Sequence, residues 1–421
     1  MTTIERVYEQ FVRVPRVTTD SRTCEEGSIF FALKGATFDG NTFARACIDK
    51  GCAMAVVDDP AVVAEGDGRF VLVDDVLATL QLLARYHRRR LGTTILGITG
   101  TNGKTTTKEL TAAVLSRRFN LLYTQGNLNN HIGVPLTLLR LSREHELAVV
   151  EMGASHPGDI RELVEIAEPD YGIITNVGKA HLQGFGSFEG VMRTKGELYD
   201  FLRAHGGKAF VNQHDPLLAD MAEGLERIDY VEGRQVDGSP LLTVEWEGHE
   251  VKTHLIGGYN LDNVLAAATI GRHFGVSADD VCAALADYVP SNNRSQLVVT
   301  PHNRLIVDAY NANPTSMSLA LRNFAQMQAE PKLCILGMMG ELGSYSHDEH
   351  QHIVDLLHEL GLTHVWLVGT AFADTRHPDA FRLFDDVAQV KDYLAAHRPE
   401  GHTILVKGSN STKLFQLPEV L

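Results

Sequence analysis

Cysteine is scarce and scattered: Cys24, Cys47, Cys52, Cys282 and Cys334 are the five in 421 residues, and none has C-x-x-C spacing. That distribution excludes a disulfide framework and a thiolate zinc site, and reduced thiols in a cytoplasmic protein are the expectation. No apolar run is long enough to span a bilayer, so no membrane insertion is expected. The opening MTTIERVYEQFVRV carries acids and lacks the apolar core of a signal peptide. Positive charge is also short: 38 Lys and Arg stand against 53 Asp and Glu, for a net charge of −15. A nucleic-acid backbone is therefore excluded as the expected partner. There is no low-complexity tract, fixed-period repeat or heptad run, and a monomer is the expectation.

What is present is globular: 44% of the residues are apolar, and the length predicts two or three domains. Residues 1–91 mix short strands (Ser28–Leu33, Ala53–Val57, Phe70–Val73) with helices. One helix, Asp75–Arg90, ends in the basic cluster Arg88-Arg-Arg90, read as its solvated C-terminus. Residues 92–292 alternate strand and helix, with strands at Thr93–Thr99, Glu146–Glu151, Tyr171–Asn176 and Lys208–Asn212. A polar segment, Ser239–His254, alternates like a small antiparallel excursion. Residues 293–421 restart the pattern with four strands, at Arg304–Asp308, Lys332–Gly337, His364–Gly369 and His402–Lys407. The predicted fold class is α/β: a small N-terminal α/β domain, a central doubly wound, mostly parallel sheet and a C-terminal Rossmann-like domain.

The stretch Gly97–Thr106, GITGTNGKTT, looks like a phosphate cradle but misses the pattern G-x-x-x-x-G-K-[ST], because Ile98 stands five before Gly103. Its context still fits. An apolar β-branched run precedes it, and a helical pattern with Leu110, Val114 and Leu115 on one side follows. A helix N-terminus leaves N–H groups and a partial positive charge aimed at the turn. Gly100 and Gly103 let the backbone approach an anion. Lys104 can reach terminal phosphates, and the Thr105 hydroxyl can ligate Mg2+. The competing reading is an ordinary turn whose lysine faces solvent.

In open α/β sheets, function gathers at the carboxyl ends of strands. That rule selects Glu151-Met-Gly, Asn176–His181, Asp308–Pro314, Gly337–Gly343 and Lys407-Gly-Ser409. Glu151 beside a phosphate loop suits Mg2+, but it could be a plain loop carboxylate. His181 and Lys195, taken alone, read as a satisfied loop histidine and a solvated helix lysine. Asn260 is expected to cap the helix that starts there, which leaves Asn263 in its first turn open to a ligand.

Together these stretches resemble the Mur ligase superfamily over nearly the whole chain. Asp20-Ser-Arg22, Gly27–Gly35 and Phe38-Asp-Gly40 are similar to its UDP-binding domain. Gly100–Thr106 fits its loop G-T-x-G-K-T-T, in which the first glycine stands closer to the lysine. Gly126–Pro135, Glu151–Gly158, Asn176–Gly186 and Thr194–Glu197 also match. Asp308–Met317 (DAYNANPTSM) is similar to the signature D-x-Y-N-A-N-P-x-S-M of those members that add D-alanyl-D-alanine. Three positions depart from the pattern: Tyr259 stands where histidine is usual, Met338 where aspartate is, and Asn293 where glycine commonly precedes Arg294.

The resemblance implies an ATP-dependent ligase that joins D-alanyl-D-alanine to UDP-N-acetylmuramoyl-tripeptide through an acyl phosphate. It implies that Gly100, Thr101, Asn102, Gly103, Lys104, Thr105 and Thr106 cradle the phosphates of ATP. Asn260 and Asn263 would flank the adenine, Asp308 would hold the ribose, and Arg294 would reach the γ-phosphate. Thr105 and Glu151 would hold one Mg2+, and His181 a second with Lys195, expected to be carbamylated. Ser21, Arg22, Lys34, Gly35, Asn129 and Asn130 would bind the UDP substrate, and Tyr310, Asn311, Asn313 and Lys407 the dipeptide. Lys104, Lys195, His181 and Arg294 are the expected catalytic set. Two rivals remain: another amide ligase of the superfamily, such as a folylpolyglutamate or cyanophycin type, and a nucleotide-switch ATPase. The Asp20-Ser-Arg22 block and the Tyr310–Pro314 stretch speak against the first, and the second would not need a UDP-binding block.

Overall fold

The structure is a computed structural model, and it describes residues 2–63, 66–291 and 294–421. Asn293 and the expected boundary at 292/293 lie outside the described residues. Four sheets organise the chain. The first has four strands in sequential order, Val17–Thr18, Ile29–Phe31, Met54–Val57 and Phe70–Leu72, all parallel. Its face packs through Ile29, Val56 and Val71 into a core that continues to Val134, Ile160 and Leu198 of the central region.

The helix Val76–Leu91 makes that join, with Asp75 accepting from Ala78 N as its cap. Its basic end corrects the sequence reading, because it is not simply solvated. Arg88 donates to the carbonyls of Ala167 and Glu168, and Arg85 and Arg89 both pair with the Glu168 carboxylate. Those partners lie on the central region, so the cations tie two parts of the chain together.

The central sheet is parallel throughout, in the order Glu226–Asp229, Lys208–Val211, Tyr171–Ile174, Thr94–Thr99, Leu147–Glu151, Leu121–Tyr123. Thr94–Thr99 is therefore an inner strand. The chain leaves it toward one edge and later returns to its other side, which opens a crevice at its carboxyl end. The helix Lys104–Leu115 buries Leu110, Val114 and Leu115, and packs against the alanine-rich helix Leu261–His273. The polar excursion is a three-stranded antiparallel sheet, Gly233–Asp237, Leu241–Trp246 and His249–Ile256.

The C-terminal sheet has six strands where four were expected. Gln296–Val299 adds an antiparallel edge to Arg304–Asp308, and Arg382–Phe384 a parallel edge beyond Val365–Val368. Both edges are short and only partly buried, which removes the apolar run that marks an inner strand. Thr403–Lys407 inserts between Arg304–Asp308 and Lys332–Gly337. That insertion makes a second switch point, whose carboxyl ends carry Asp308, Lys407 and the segment after Gly337.

Candidate active site

The two switch points face each other across one cavity of about 590 Å3, lined from the central side by the loop residues Thr101–Lys104 and from the C-terminal side by Asp308, Tyr310 and Lys407. The loop is tightly braced. Thr101 N donates to Asn176 O at 2.9 Å, Asn102 N to Asn176 Oδ1 at 3.0 Å, and Thr175 Oγ1 to Asn102 O at 2.6 Å. Both glycines are required sterically: a Cβ on Gly100 would lie 2.0 Å from Thr175 Oγ1, and one on Gly103 2.5 Å from Asn263 Oδ1. Both also have positive φ, 142° and 79°. Among the described residues, the N–H groups of Gly103, Lys104, Thr105 and Thr106 have no hydrogen-bond acceptor. They are the orphan donors of a helix start, aimed at the cavity mouth.

Lys104 curls back onto its own loop and donates to Gly100 O at 2.8 Å and Thr101 O at 3.1 Å. Burial pushes its ammonium down to about 8, opposed by the charge of Glu151 and reinforced by that of Arg294. Glu151 ends the strand Leu147–Glu151 and is 1% exposed. Its Oε1 accepts from Asn129 Nδ2 at 2.8 Å and from Thr105 Oγ1 at 3.3 Å, while its Oε2 is buried with no hydrogen-bond partner. Lys108, fully buried one turn along the helix, stands 3.9 Å from that oxygen. A buried carboxylate oxygen without a hydrogen-bond partner, beside a hydroxyl, suits a hard cation. No three His, Cys, Asp or Glu side chains converge as a cage among the described residues. A cation here would take most of its ligands from phosphate and water, as Mg2+ commonly does.

His181 lines the cavity in left-handed backbone conformation, φ 49°. Burial lowers its pKa, with the Glu341 charge acting the other way. Its Nδ1 meets the carboxylate of Glu341 on the C-terminal domain. Lys195 lies on the helix Phe188–His205, 2% exposed, its ammonium 5.6 Å from the centre of the Phe185 ring. The solvated-lysine alternative is corrected: no carboxylate lies within ion-pair distance of Lys195 among the described residues. Glu197, the candidate partner, accepts from Gly158 N and Arg161 N instead. Burial, then the nearby Lys104 charge, pushes Lys195 well below the usual lysine range.

Asn260 does not cap its helix. Its side chain donates to Ile256 O at 2.8 Å and accepts from Asn263 Nδ2 at 2.8 Å, and Asn263 Oδ1 accepts from Thr107 at 3.0 Å. The pair is a buried tie between two helices that also borders the cavity. The helical φ of Asn260 turns its side chain back toward the preceding strand rather than onto the first-turn amides.

On the C-terminal side, the Asp308 carboxylate pairs with the buried Lys407 ammonium. The Arg294 guanidinium lies 4.1 Å from the centre of the Tyr310 ring. Asn311 accepts from Ala312 N. Asn313 caps the helix Pro314–Gln326 and also donates to Asn102 Oδ1 at 2.7 Å, joining that domain to the phosphate loop. Tyr259 donates to or accepts from Ser295 at 2.9 Å, whereas Met338 packs beneath Gly369, away from the cavity.

Asn129 and Asn130 line this cavity, but Ser21, Arg22, Lys34 and Gly35 do not. Those four lie at the carboxyl edge of the first sheet. There Arg22 makes a two-pronged contact with Asp20, and Lys34 pairs with Asp58 at 2.8 Å. Sequence reasoning missed Asn176, which braces the loop, and Glu341, which meets His181. Both stand in strand-end segments already singled out, so position gave a signal that residue type did not.

Three family models match in sequence order: the Mur ligase family catalytic domain over residues 13–88, the Mur ligase middle domain over 98–271, and the Mur ligase glutamate ligase domain over 293–410. The chain is 33% identical to the UDP-N-acetylmuramoyl-tripeptide–D-alanyl-D-alanine ligase of Bacillus subtilis, covering 97% of this chain and 93% of that one. A crystal structure of MurF from Acinetobacter baumannii superposes with a TM-score of 0.85 at 32% identity, over 96% of this chain and 93% of that one. The MurF ligase of Thermotoga maritima in complex with ADP gives 0.84 at 27% identity, over 96% of each chain. With a glycine loop at a helix start, a buried carboxylate oxygen that has no hydrogen-bond partner and the C-terminal sheet around one cavity, and with relatives matched end to end, the chain belongs to the Mur ligase family.

Proposed function

We propose that this protein joins D-alanyl-D-alanine to UDP-N-acetylmuramoyl-tripeptide at the expense of ATP, in peptidoglycan precursor synthesis, acting as a monomer in the cytoplasm. The observation that carries the reading is the single cavity on which the phosphate loop, Glu151 and His181 meet Arg294, Asp308 and Lys407 of the C-terminal domain. It is supported by relatives of that name matched over nearly their full length.

A carboxylate is a poor acylating agent because oxide leaves poorly. In the first step the tripeptide carboxylate attacks the γ-phosphorus of ATP, an O–P bond forms, and the bond to the β-phosphate oxygen breaks. In the second, the dipeptide amine attacks the acyl carbon, and phosphate leaves as the amide forms. Phosphoryl transfer depends on positioning and charge neutralisation more than on covalent help. Lys104 would swing from its own carbonyls to the β- and γ-phosphates, joined by the free amides of Gly103–Thr106. Arg294 would leave the Tyr310 face to reach the γ-phosphate, while Asn260 and Asn263 border the adenine and Asp308 the ribose. Tyr310, Asn311, Asn313 and Lys407 would surround the dipeptide. Residues 1–91 would hold the UDP moiety through Ser21, Arg22 and the Lys34-Gly35 turn, with Asn129 and Asn130 nearer the reacting end.

Thr105 and Glu151 would hold one Mg2+, and His181 with Lys195 a second. Bound there, the ions would neutralise phosphate charge and let one anion approach another. Burial lowers the Lys195 pKa and so favours the free amine, the form that adds CO2. The resulting carbamate would supply the oxygen ligands that an ammonium cannot. The docked C-terminal domain would keep water from the acyl phosphate.

Phosphate release tests the reading. It should require UDP-N-acetylmuramoyl-tripeptide and rise with D-alanyl-D-alanine, with amide product in step. ATP hydrolysis that ignores both substrates would overturn it in favour of a nucleotide-driven switch.

A further inference from the structure

We propose that Glu341 is a positioning residue for the ligation reaction, carried on the C-terminal domain to hold the imidazole of His181 in one orientation and tautomer. The proposal rests on the function just described, and it concerns a residue to which that mechanism gave no role. Glu341 follows the strand Lys332–Gly337 at the second switch point and borders the same cavity as His181. Its carboxylate meets His181 Nδ1 across 160 residues of sequence. A carboxylate only accepts, so Nδ1 carries the proton and donates, and Nε2 keeps its lone pair for the cavity. A histidine held this way by an outer carboxylate is fixed in one orientation.

Three further observations bear on whether this contact is an incidental surface pair. Glu341 and His181 both adopt left-handed backbone, φ 59° and 49°, a region where non-glycine residues are strained. Either turn would be easier with glycine, so each side chain stands there at a local cost. The backbone takes part as well: Glu341 O accepts from Gln183 N at 3.1 Å, which fixes the loop that presents the imidazole. The Glu341 side chain is 61% exposed, so the burial of apolar surface does not explain its place. Because Glu341 arrives with the C-terminal domain, His181 is oriented only when that domain is docked.

The same loop supplies an internal control. Lys179 pairs with Glu349 of the C-terminal domain at 2.7 Å, two residues from His181 in sequence. Glu349 does not border the cavity. Glu349→Gln therefore weakens the docking interface without touching the imidazole.

The experiment uses the full chain. Glu341→Ala should lower kcat by about 10- to 100-fold, the usual cost of losing an outer-shell partner, with the KM for ATP within about threefold of wild type. Glu341→Gln, whose amide oxygen still accepts from Nδ1, should recover part of that loss. Glu349→Gln should stay within about threefold of wild type in kcat. A second readout needs neither substrate nor metal: nitrogen-15 spectra of histidine-labelled protein at mildly alkaline pH, with the His181 signal assigned from His181→Gln. Wild type should show the Nδ1–H tautomer, and Glu341→Ala should shift toward the Nε2–H form. An unchanged tautomer in Glu341→Ala overturns the proposal. So does equal loss of kcat in Glu341→Ala and Glu349→Gln, which would make Glu341 a docking latch. If wild type fails to ligate, the assigned function fails, while the tautomer result still decides the pairing.

Discussion

Replacing Lys104 by methionine should separate stability from catalysis. The ammonium is enclosed by its own loop, although the residue as a whole keeps some exposure. Burial holds it at about 8, against 10.5 for a free lysine. Keeping it charged at pH 7 therefore costs the native state up to about 3 kcal/mol, at about 1.4 kcal/mol per tenfold change in proton affinity. Methionine fills a similar volume without charge. The shift already contains whatever the charge adds to the two hydrogen bonds to Gly100 O and Thr101 O, so methionine gives up only what a neutral amine would make there, about 1 kcal/mol each. The net expectation is a gain of about 1 kcal/mol, or about 2–4 °C in the unfolding of the central region. The sign with pH follows from the depressed value. The native state binds fewer protons than the unfolded chain between about 8 and 10.5. The penalty is thus fully present below about 8 and fades as pH rises toward 10.5, so the advantage of Lys104→Met should shrink over that window. Thermal unfolding at pH 7 and again near pH 10, without ATP, measures it, and phosphate release measures the other half. Turnover should be lost at both pH values. A variant several degrees less stable than wild type at pH 7 would refute the burial argument, and near wild-type turnover would refute the phosphate role.

Three further outcomes are expected. Arg22→Ala should raise the KM for the UDP substrate by about 10- to 100-fold, since hydrogen bonds to charged groups contribute about 1.5–3 kcal/mol, with the KM for ATP unchanged. An unchanged KM for the UDP substrate moves the uridine site elsewhere. Lys195→Ala should be nearly inactive and recover in part with formate or acetate. An unbranched amine at full occupancy in an active crystal would rule out the carbamate. Lys407→Met should destabilise the C-terminal domain by about 3 kcal/mol in denaturant unfolding, because it strands the half-buried Asp308 carboxylate. Adding Asp308→Asn should return much of that loss, and a single variant as stable as wild type would show that the pair contributes little.

The sequence by itself determined whatever depends on local pattern. Apolar β-branched runs bounded by glycine or polar residues marked Thr94–Thr99, Leu147–Glu151 and Thr403–Lys407, because inner parallel strands are apolar on both faces. The loop Gly100–Thr106 was legible because a strand, two glycines and a helix start are contiguous. The short edges Gln296–Val299 and Arg382–Phe384 were not, since half-exposed strands carry no such run. Asn260 misled for a related reason: residue type suggests a cap, but its side chain turns away to Ile256. Only the tertiary structure decided which strand ends meet. Docking one switch point on another sets Glu341 against His181 and Asn313 against Asn102. It also leaves Ser21 and Arg22 on a different edge from Asn129. Such contacts join residues far apart in sequence and have no period or spacing, because they arise from the packing of whole sheets rather than from the conformation of any one segment.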